Sequence, residues 1–192
     1  MQGIPSADQI RRVLKHYRVA RNFKGLSDAK AKQISKDLVE VSDGEGSYSD
    51  KVMSLATRFE KQFDQFNLSA ASKLLWLRNK NPYWIFDKRA SDALRHLENK
   101  ISDYKSYCEA WEKEYEKRHN ALALAARGLV NLPREYTRDP SLTNDQLTEI
   151  VREEWFIARV FDIYLWEIGA KNGTRDGSST SPPQDILSTT QT

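Results

Sequence analysis

The sequence contains a single cysteine, Cys108. One thiol excludes an intramolecular disulfide, a cysteine-built zinc site and an iron–sulfur cluster. No apolar run reaches the roughly 18 residues of a membrane-spanning helix, and no charged-then-apolar leader is present. These absences predict a cytoplasmic protein with no membrane partner.

Motifs that would identify common enzyme classes are also missing. The sequence has no H-E-x-x-H pair, no G-x-S-x-G elbow, no zinc-deaminase pattern and no internal repeat. Its one glycine-rich turn, residues 43–47, is acidic and lacks the lysine and Ser/Thr of a phosphate-binding loop. The histidines His16, His96 and His119 have no paired acid or base in the sequence. We therefore expect no metal site and no cofactor.

What is present fits one folded domain. The 192 residues are 39% hydrophobic and include five tryptophans, enough for a packed core. A net charge of +3 permits nucleic-acid binding without requiring it, since the usual footprint is a clustered basic patch. The Ser/Thr/Gly/Pro-rich residues 171–192 predict a disordered tail after a domain spanning residues 1–170.

Amphipathic patterns with short connections predict an all-α, single-domain, multi-helix bundle. Ser6 with Gln9 and Thr143 with Gln146 have the spacing of capping boxes, and Ser27 is a further N-cap candidate. The spacing of aromatic residues from Tyr104 to Tyr115 predicts a core stripe. Residues 122–129 predict another buried helical segment, which Gly128 helps to end. A final helix is expected from Leu147 to Ile168, closed by Gly169.

The first helix has a basic face. Its cationic residues are Arg11, Arg12, Lys15, Arg18 and Arg21, with Lys24 beyond them. Such a face is either simply solvated or a surface that follows nucleic-acid phosphates.

The most informative stretch runs from Ser69 to Leu94. Its apolar spacing predicts a helix over residues 69–77, followed by the cationic turn Arg78-Asn79-Lys80-Asn81 and by Pro82. Four bulky residues come next, and Asp87 then opens a second helix. The ordinary role of an aspartate here is an N-cap. A carboxylate held at a helix start also keeps a fixed orientation and an ionised charge, which could face an electron-poor centre.

This stretch resembles the core of the helix-hairpin-helix superfamily of DNA glycosylases, in particular its bacterial 8-oxoguanine-glycosylase-like branch. Pro82 and Asp87 have the family's spacing, and Ala70, Ala71, Leu74 and Leu75 match its small and apolar helix face. The resemblance implies that the bundle is of this glycosylase type and that Asp87 is the catalytic aspartate. The remainder of the chain matches only in its helical character.

Two departures from the family pattern bear on activity. Phe66-Asn67-Leu68 replaces the glycine-rich hairpin, which makes the hairpin degenerate. Ser69 occupies the position of the lysine nucleophile used by bifunctional members, and a hydroxyl cannot form a Schiff base. The resemblance therefore implies a monofunctional enzyme that uses water. Lys73, one helical turn away, leaves a lyase activity open.

On this basis we expect a DNA glycosylase that flips a modified or damaged base out of double-stranded DNA and leaves an abasic site. The protein would act as a monomer. Antiphage defence against modified phage DNA is favoured over repair, because the degenerate hairpin suggests a divergent specialist. Residues expected at the base pocket or wedge are Tyr83, Trp84, Phe86 and Ser69. Those expected to contact DNA are Lys73, Arg78, Asn79, Lys80, Asn81, Lys88 and Arg89.

The alternative is a non-catalytic helical module that binds nucleic acid or protein. In that case Asp87 is only a cap and the aromatic residues are only core. An open cleft beside Asp87 would favour the enzyme, whereas an aspartate with both oxygens satisfied and no cleft would favour the module.

Overall fold

The computed structural model describes residues 3–80, 82–131 and 141–173, with side chains up to residue 170. Every regular element in these ranges is helical, in agreement with the predicted all-α class. The helices are α1 (Ala7–His16), a short 3-10 helix (Ala20–Asn22), α2 (Asp28–Asp43), α3 (Tyr48–Phe63), α4 (Leu68–Arg78), α5 (Lys88–His96), α6 (Tyr104–Arg127), α7 (Asn144–Ile150) and α8 (Glu154–Gly173).

The predicted helix starts are confirmed by side-chain caps. Ser6 and Thr143 each form a full capping box, with Gln9 and Gln146 respectively. Ser27 accepts a hydrogen bond from the backbone N–H of Lys30 at the start of α2. Each cap satisfies an N–H that the first helical turn leaves without a partner, so the local sequence fixes where these helices begin.

Two predicted helix boundaries are wrong. The expected helix from Leu147 to Ile168 is two helices, α7 and α8. Gly169 does not end α8 but lies buried inside it. A Cβ at this position would lie 2.0 Å from the carbonyl oxygen of Arg89 on α5. The glycine lets the two backbones touch rather than ending the helix. By contrast, the predicted helix end at Gly128 is confirmed: residues 104–115 and 122–127 belong to one continuous helix, α6, which Gly128 caps.

The core is built around the aromatic stripe of α6, as predicted. Trp111 is fully buried and stacks on Trp84 at 4.1 Å and on Tyr115 at 4.8 Å between ring centroids. Phe161 of α8 meets it edge-on at 4.9 Å. Aromatic pairs of this kind add stability beyond the area they bury, so α6 and α8 are firmly joined.

The segment between α4 and α5 is irregular and is fixed by side chains of α6 and α4. The hydroxyls of Tyr104 and Tyr107 donate to the carbonyl oxygens of Trp84 and Ile85, at 2.6 and 2.8 Å. Ser72 Oγ accepts from the backbone N–H of Phe86 at 2.9 Å. These bonds set the position at which Asp87 starts α5.

None of the described helices is both long and apolar enough to cross a bilayer. Helix α8 continues to Gly173, three residues past the predicted domain end. The rest of the predicted tail lies outside the described residues.

Candidate functional site

A cavity of about 420 Å³ opens where the end of α1, helix α4, the start of α5 and helix α8 meet. Side chains that carry charge or an aromatic ring form much of its wall. They include Tyr17, Lys73, Asp87, Arg159, Asp162 and Trp166. The volume falls within the range of small-molecule sites in proteins.

Asp87 is both a helix cap and a wall of this cavity. Its Oδ1 accepts a hydrogen bond from the backbone N–H of Arg89 at 3.0 Å, which confirms the predicted N-cap. Its Oδ2 lies 3.9 Å from the ammonium of Lys73. The side chain is 32% exposed, so one oxygen is fixed to the helix while the carboxylate still reaches the cavity.

Lys73 lies inside the site rather than on the surface. Its ammonium donates to Ser69 Oγ at 2.8 Å and lies 5.9 Å from the ring centroid of Tyr17. Burial lowers the pKa of Lys73, whereas the charge of Asp87 opposes that change. Ser69 and Lys73 thus form a pair one helical turn apart, with the amine between Ser69 and Asp87.

Asp162 of α8 is a second carboxylate in the cavity wall, which the sequence reading missed. It is 8% exposed, and its Oδ1 accepts from Trp111 Nε1 at 2.9 Å. Arg159 approaches Oδ2 at 3.4 Å. Burial raises the pKa of Asp162 to about 6, and the nearby charge of Asp87 acts in the same direction. A lone aspartate in a helix that is apolar nearly all round was the signal in the sequence.

Trp166 forms part of the rim and was also missed as a site residue. It is 41% exposed, and the guanidinium of Arg89 lies 4.2 Å from its ring centroid. An exposed indole at a cavity mouth offers a flat surface on which an unstacked base can lie.

The aromatic residues expected at the base pocket are packed elsewhere. Tyr83 is buried, Trp84 stacks on Trp111, and Phe86 meets Tyr104 and Tyr107 edge-on. Within the described part of the chain, none of the three lines the cavity beside Asp87. Ile85, which lies between them, does.

Trp84 instead borders a second hollow, together with Glu112, Tyr115, Glu116, His119 and Glu154. There its Nε1 donates to Glu112 Oε1 at 2.8 Å, and the hydroxyl of Tyr48 donates to the same oxygen at 2.6 Å. These bonds explain the orientation of the Trp84 ring by contacts within the fold.

The cations expected to hold DNA phosphates have different surroundings. Lys88 is exposed and pairs with Asp92 at 2.8 Å, whereas Arg89 covers Trp166. Arg78 pairs with Asp43 at 3.0 Å and also donates to the carbonyl oxygen of Gly3.

The other described residues of the turn after α4 also differ from one another in their contacts. Asn79 is the C-cap of α4, and the Lys80 ammonium lies 3.3 Å from the ring centroid of Trp155. Asn81 lies outside the described residues. Before α4, Asn67 takes the place of a glycine turn by capping the helix, and its Oδ1 accepts from Ala70 N at 3.1 Å.

Comparisons with protein-family models, with curated proteins and with solved structures found no match. Within the described residues, no group of His, Cys, Asp or Glu is arranged to hold a metal ion. The relation to helix-hairpin-helix glycosylases therefore stays a prediction from the stretch around Asp87.

Proposed function

We propose that this protein is a monofunctional DNA glycosylase that releases a modified or damaged base from double-stranded DNA. One observation carries the proposal. Asp87 is fixed at the start of α5 through one oxygen while its carboxylate lines an open cavity of about 420 Å³. This is the arrangement that favours the enzyme over a helical module in which Asp87 acts only as a cap.

The chemistry that this carboxylate can perform is electrostatic. When the bond between a base and C1′ of its deoxyribose breaks, positive charge develops on the sugar, as in glycoside hydrolysis. A carboxylate that is already oriented stabilises that charge without having to reorganise during the reaction. Water then attacks C1′ and leaves an abasic site. The cation Lys73, 3.9 Å away, helps to hold the Asp87 charge in place.

A base can reach this cavity only outside the duplex stack, at a cost of a few kcal/mol. Trp166 at the rim and Tyr17 in the wall supply aromatic surfaces that recover part of that cost by stacking. These residues take the role that the sequence reading gave to Tyr83, Trp84 and Phe86.

DNA phosphates would be held by cations beside the cavity mouth. Arg18 lines the cavity and is exposed, and Arg89 and Lys88 stand at the start of α5. Each phosphate contact releases counterions, so binding should weaken steeply as salt is raised. Arg78, which is already paired with Asp43, contributes less in this proposal.

The absence of a lysine at position 69 supports a water-dependent mechanism. Ser69 is hydrogen-bonded to the Lys73 ammonium and has no amine to offer. Among the described residues of the cavity wall, Lys73 is the one amine that could give a lyase activity. Borohydride treatment during turnover separates the two cases, since a covalent protein–DNA adduct forms only through an amine. We expect no adduct.

We propose antiphage defence as the setting, with a base of the kind found in modified phage DNA as substrate. The divergent hairpin, where Asn67 takes the place of glycine, supports this setting. Repair of oxidised or alkylated bases uses the same site chemistry. A substrate panel should therefore contain both kinds of base.

The decisive test compares Asp87, the N-cap of α5, with Asp92 inside that helix. Duplexes carrying single damaged or phage-type bases are incubated with protein and then treated with alkali, which cleaves at abasic sites. Asp87→Asn should abolish strand breaks while binding to the duplex persists. Asp92→Asn is the matched control, because Asp92 is 34% exposed, pairs with Lys88 and is not in the described cavity wall.

Asp92→Asn should therefore cleave at the rate of the unaltered protein. Normal cleavage by Asp87→Asn would refute the catalytic assignment. If the unaltered protein released no base from any duplex, the helical binding module would be the better reading.

A further inference from the structure

We propose that Asp162 is the general acid of this site and transfers a proton to the departing base as its bond to the sugar breaks. The inference rests on the proposed glycosylase function and deepens it. It assigns different tasks to the two carboxylates of one cavity, Asp87 to the sugar and Asp162 to the base. It also names the substrate class, a base that leaves as an anion unless it is protonated.

The geometry of Asp162 suits a group that meets the ligand. It belongs to the wall of the cavity that Asp87 lines, yet its side chain is almost fully buried in α8. Trp111 Nε1 occupies one lone pair of Oδ1 at 2.9 Å, and Trp111 is itself fixed by stacking on Trp84. Each carboxylate oxygen has two acceptor sites, so this bond orients the group without using all of its capacity.

The two carboxylates have opposite surroundings. Asp87 starts a helix, is one-third exposed and lies 3.9 Å from the Lys73 ammonium. Asp162 is desolvated and lies close enough to Asp87 for that negative charge to favour its protonated form. Two carboxyl groups whose surroundings differ in this way divide into a charged stabiliser and a proton donor.

Other charged and titratable groups also act on Asp162. Arg159 on its own helix favours the ionised carboxylate, and Lys73 of α4 has the same sign. Burial outweighs them and raises the pKa of Asp162 to about 6. The tyrosines that interact with it electrostatically are Tyr17 and Tyr107, and the further titratable residues of the cavity wall are His16, Arg18 and Glu167.

The step balances without any other reagent. The electron pair of the C1′–N bond leaves with the base, and the proton on Asp162 is transferred to that base. Water adds to C1′ and loses one proton, which returns Asp162 to its acid form through the solvent. Asp87 keeps its charge throughout. One water is consumed for each base and abasic site produced.

The test uses probes that differ in their need for a proton. Neutral bases, such as 8-oxoguanine, hypoxanthine and 5-hydroxymethylcytosine, leave poorly as anions. 7-Methylguanine already carries a positive charge and leaves as a neutral molecule. Duplexes with each base are assayed from pH 5 to pH 9 under single-turnover conditions with the unaltered protein, Asp162→Asn, Asp87→Asn and Glu149→Gln.

We expect Asp162→Asn to slow release of neutral bases by about 100-fold or more, the usual contribution of a general acid. Release of 7-methylguanine should change by less than about 3-fold, because no proton is needed. With the unaltered protein, release of neutral bases should fall about tenfold per pH unit above pH 6, and Asp162→Asn should remove that dependence. Glu149→Gln removes an exposed carboxylate of α7 that pairs with Arg152 and is not in the described cavity wall, so it should keep the unaltered profile.

Several outcomes would overturn the assignment. An equal loss on charged and neutral bases would mean that Asp162 only supports the fold of the site. Release confined to 7-methylguanine would mean that no acid is needed. If Asp162→Asn does not fold, a flat profile of the unaltered protein between pH 6 and pH 9 overturns it alone. If Asp87→Asn does not slow base release, or if the unaltered protein releases no base at all, the glycosylase function itself is refuted.

Discussion

Asp162→Asn should make the protein more stable at neutral pH. The folded protein holds the Asp162 carboxyl in a desolvated site, where burial raises its pKa to about 6 from an ordinary 3.8. Below pH 3.8 the group is protonated in the folded and unfolded chains alike, and folding carries no penalty. Above pH 6 it is ionised in both, and the folded state alone loses the hydration of the charge. The stability contributed by the protonated form is therefore lost as pH rises to 6.

The size of the effect follows from the two pKa values. Each pH unit between them corresponds to about 1.4 kcal/mol, so the penalty at pH 7 amounts to ~3 kcal/mol. At pH 4 the same relation gives only about 0.5 kcal/mol. Asparagine does not titrate and keeps an oxygen that can accept from Trp111 Nε1. The free energy of unfolding of the variant, relative to the unaltered protein, should therefore increase by about 2–3 kcal/mol from pH 4 to pH 7.

Urea denaturation at half-unit steps from pH 4 to pH 8 measures this difference directly. A fixed offset between the two proteins reflects packing, whereas its change with pH reflects the titration alone. In thermal melts the variant should gain roughly 6–12 °C at pH 7, on the usual scaling for a chain of this size. A stability difference that does not vary between pH 4 and pH 7 would refute the reasoning.

Three further perturbations test other contacts. Gly169→Ala should destabilise the protein by about 3 kcal/mol or more, measured by urea denaturation, because its Cβ would lie 2.0 Å from the Arg89 carbonyl oxygen; a near-neutral change would mean that α5 and α8 separate easily. Asp64→Gly should stabilise the fold by about 1 kcal/mol and so raise the melting temperature, because Asp64, the C-cap of α3, has a φ of 54° that glycine adopts more easily. A lower melting temperature would contradict this. Arg89→Ala should weaken duplex binding and reduce its logarithmic salt dependence by about one; an unchanged slope would place Arg89 away from phosphate.

The sequence predicted the features that depend on neighbours two to four residues apart. The capping boxes of Ser6 and Thr143, and the Asp87 cap, are local patterns in which a side chain satisfies an N–H of its own helix. The aromatic stripe of α6 is local for the same reason, since its spacing repeats with the helical turn. Such features need no knowledge of the tertiary structure.

The direction of the aromatic side chains before Asp87 could not be predicted in this way. Residues 83–86 lie in an irregular segment. The direction in which each of their side chains points is set by contacts with residues more distant in the sequence. The hydroxyls of Tyr104 and Tyr107 hold its carbonyls, and Trp111 provides the surface on which Trp84 stacks. These contacts turn Trp84 into the core and leave Ile85 in the cavity wall.

The residues in the far wall of the cavity could not be predicted from local sequence patterns either. Asp162 and Trp166 lie more than 70 residues beyond Asp87, on a helix whose place is set by a backbone contact between α5 and α8. In the sequence, Gly169 is indistinguishable from a helix-ending glycine. Only the carbonyl of Arg89 shows why the side chain must be absent there.

The burial of the Asp162 carboxylate indicates a functional role, because the fold does not need an ionisable group at this position. Its hydrogen bond from Trp111 could be accepted equally well by an asparagine, and no charge would then have to be desolvated. Asp162 meets Arg159 only at 3.4 Å, and Arg159 is itself partly exposed, so that pair offsets little of the desolvation. A group that costs stability where a neutral substitute would serve is typical of functional sites. Here the property that asparagine lacks is a proton that can be given up near neutral pH, in a cavity that also contains Asp87.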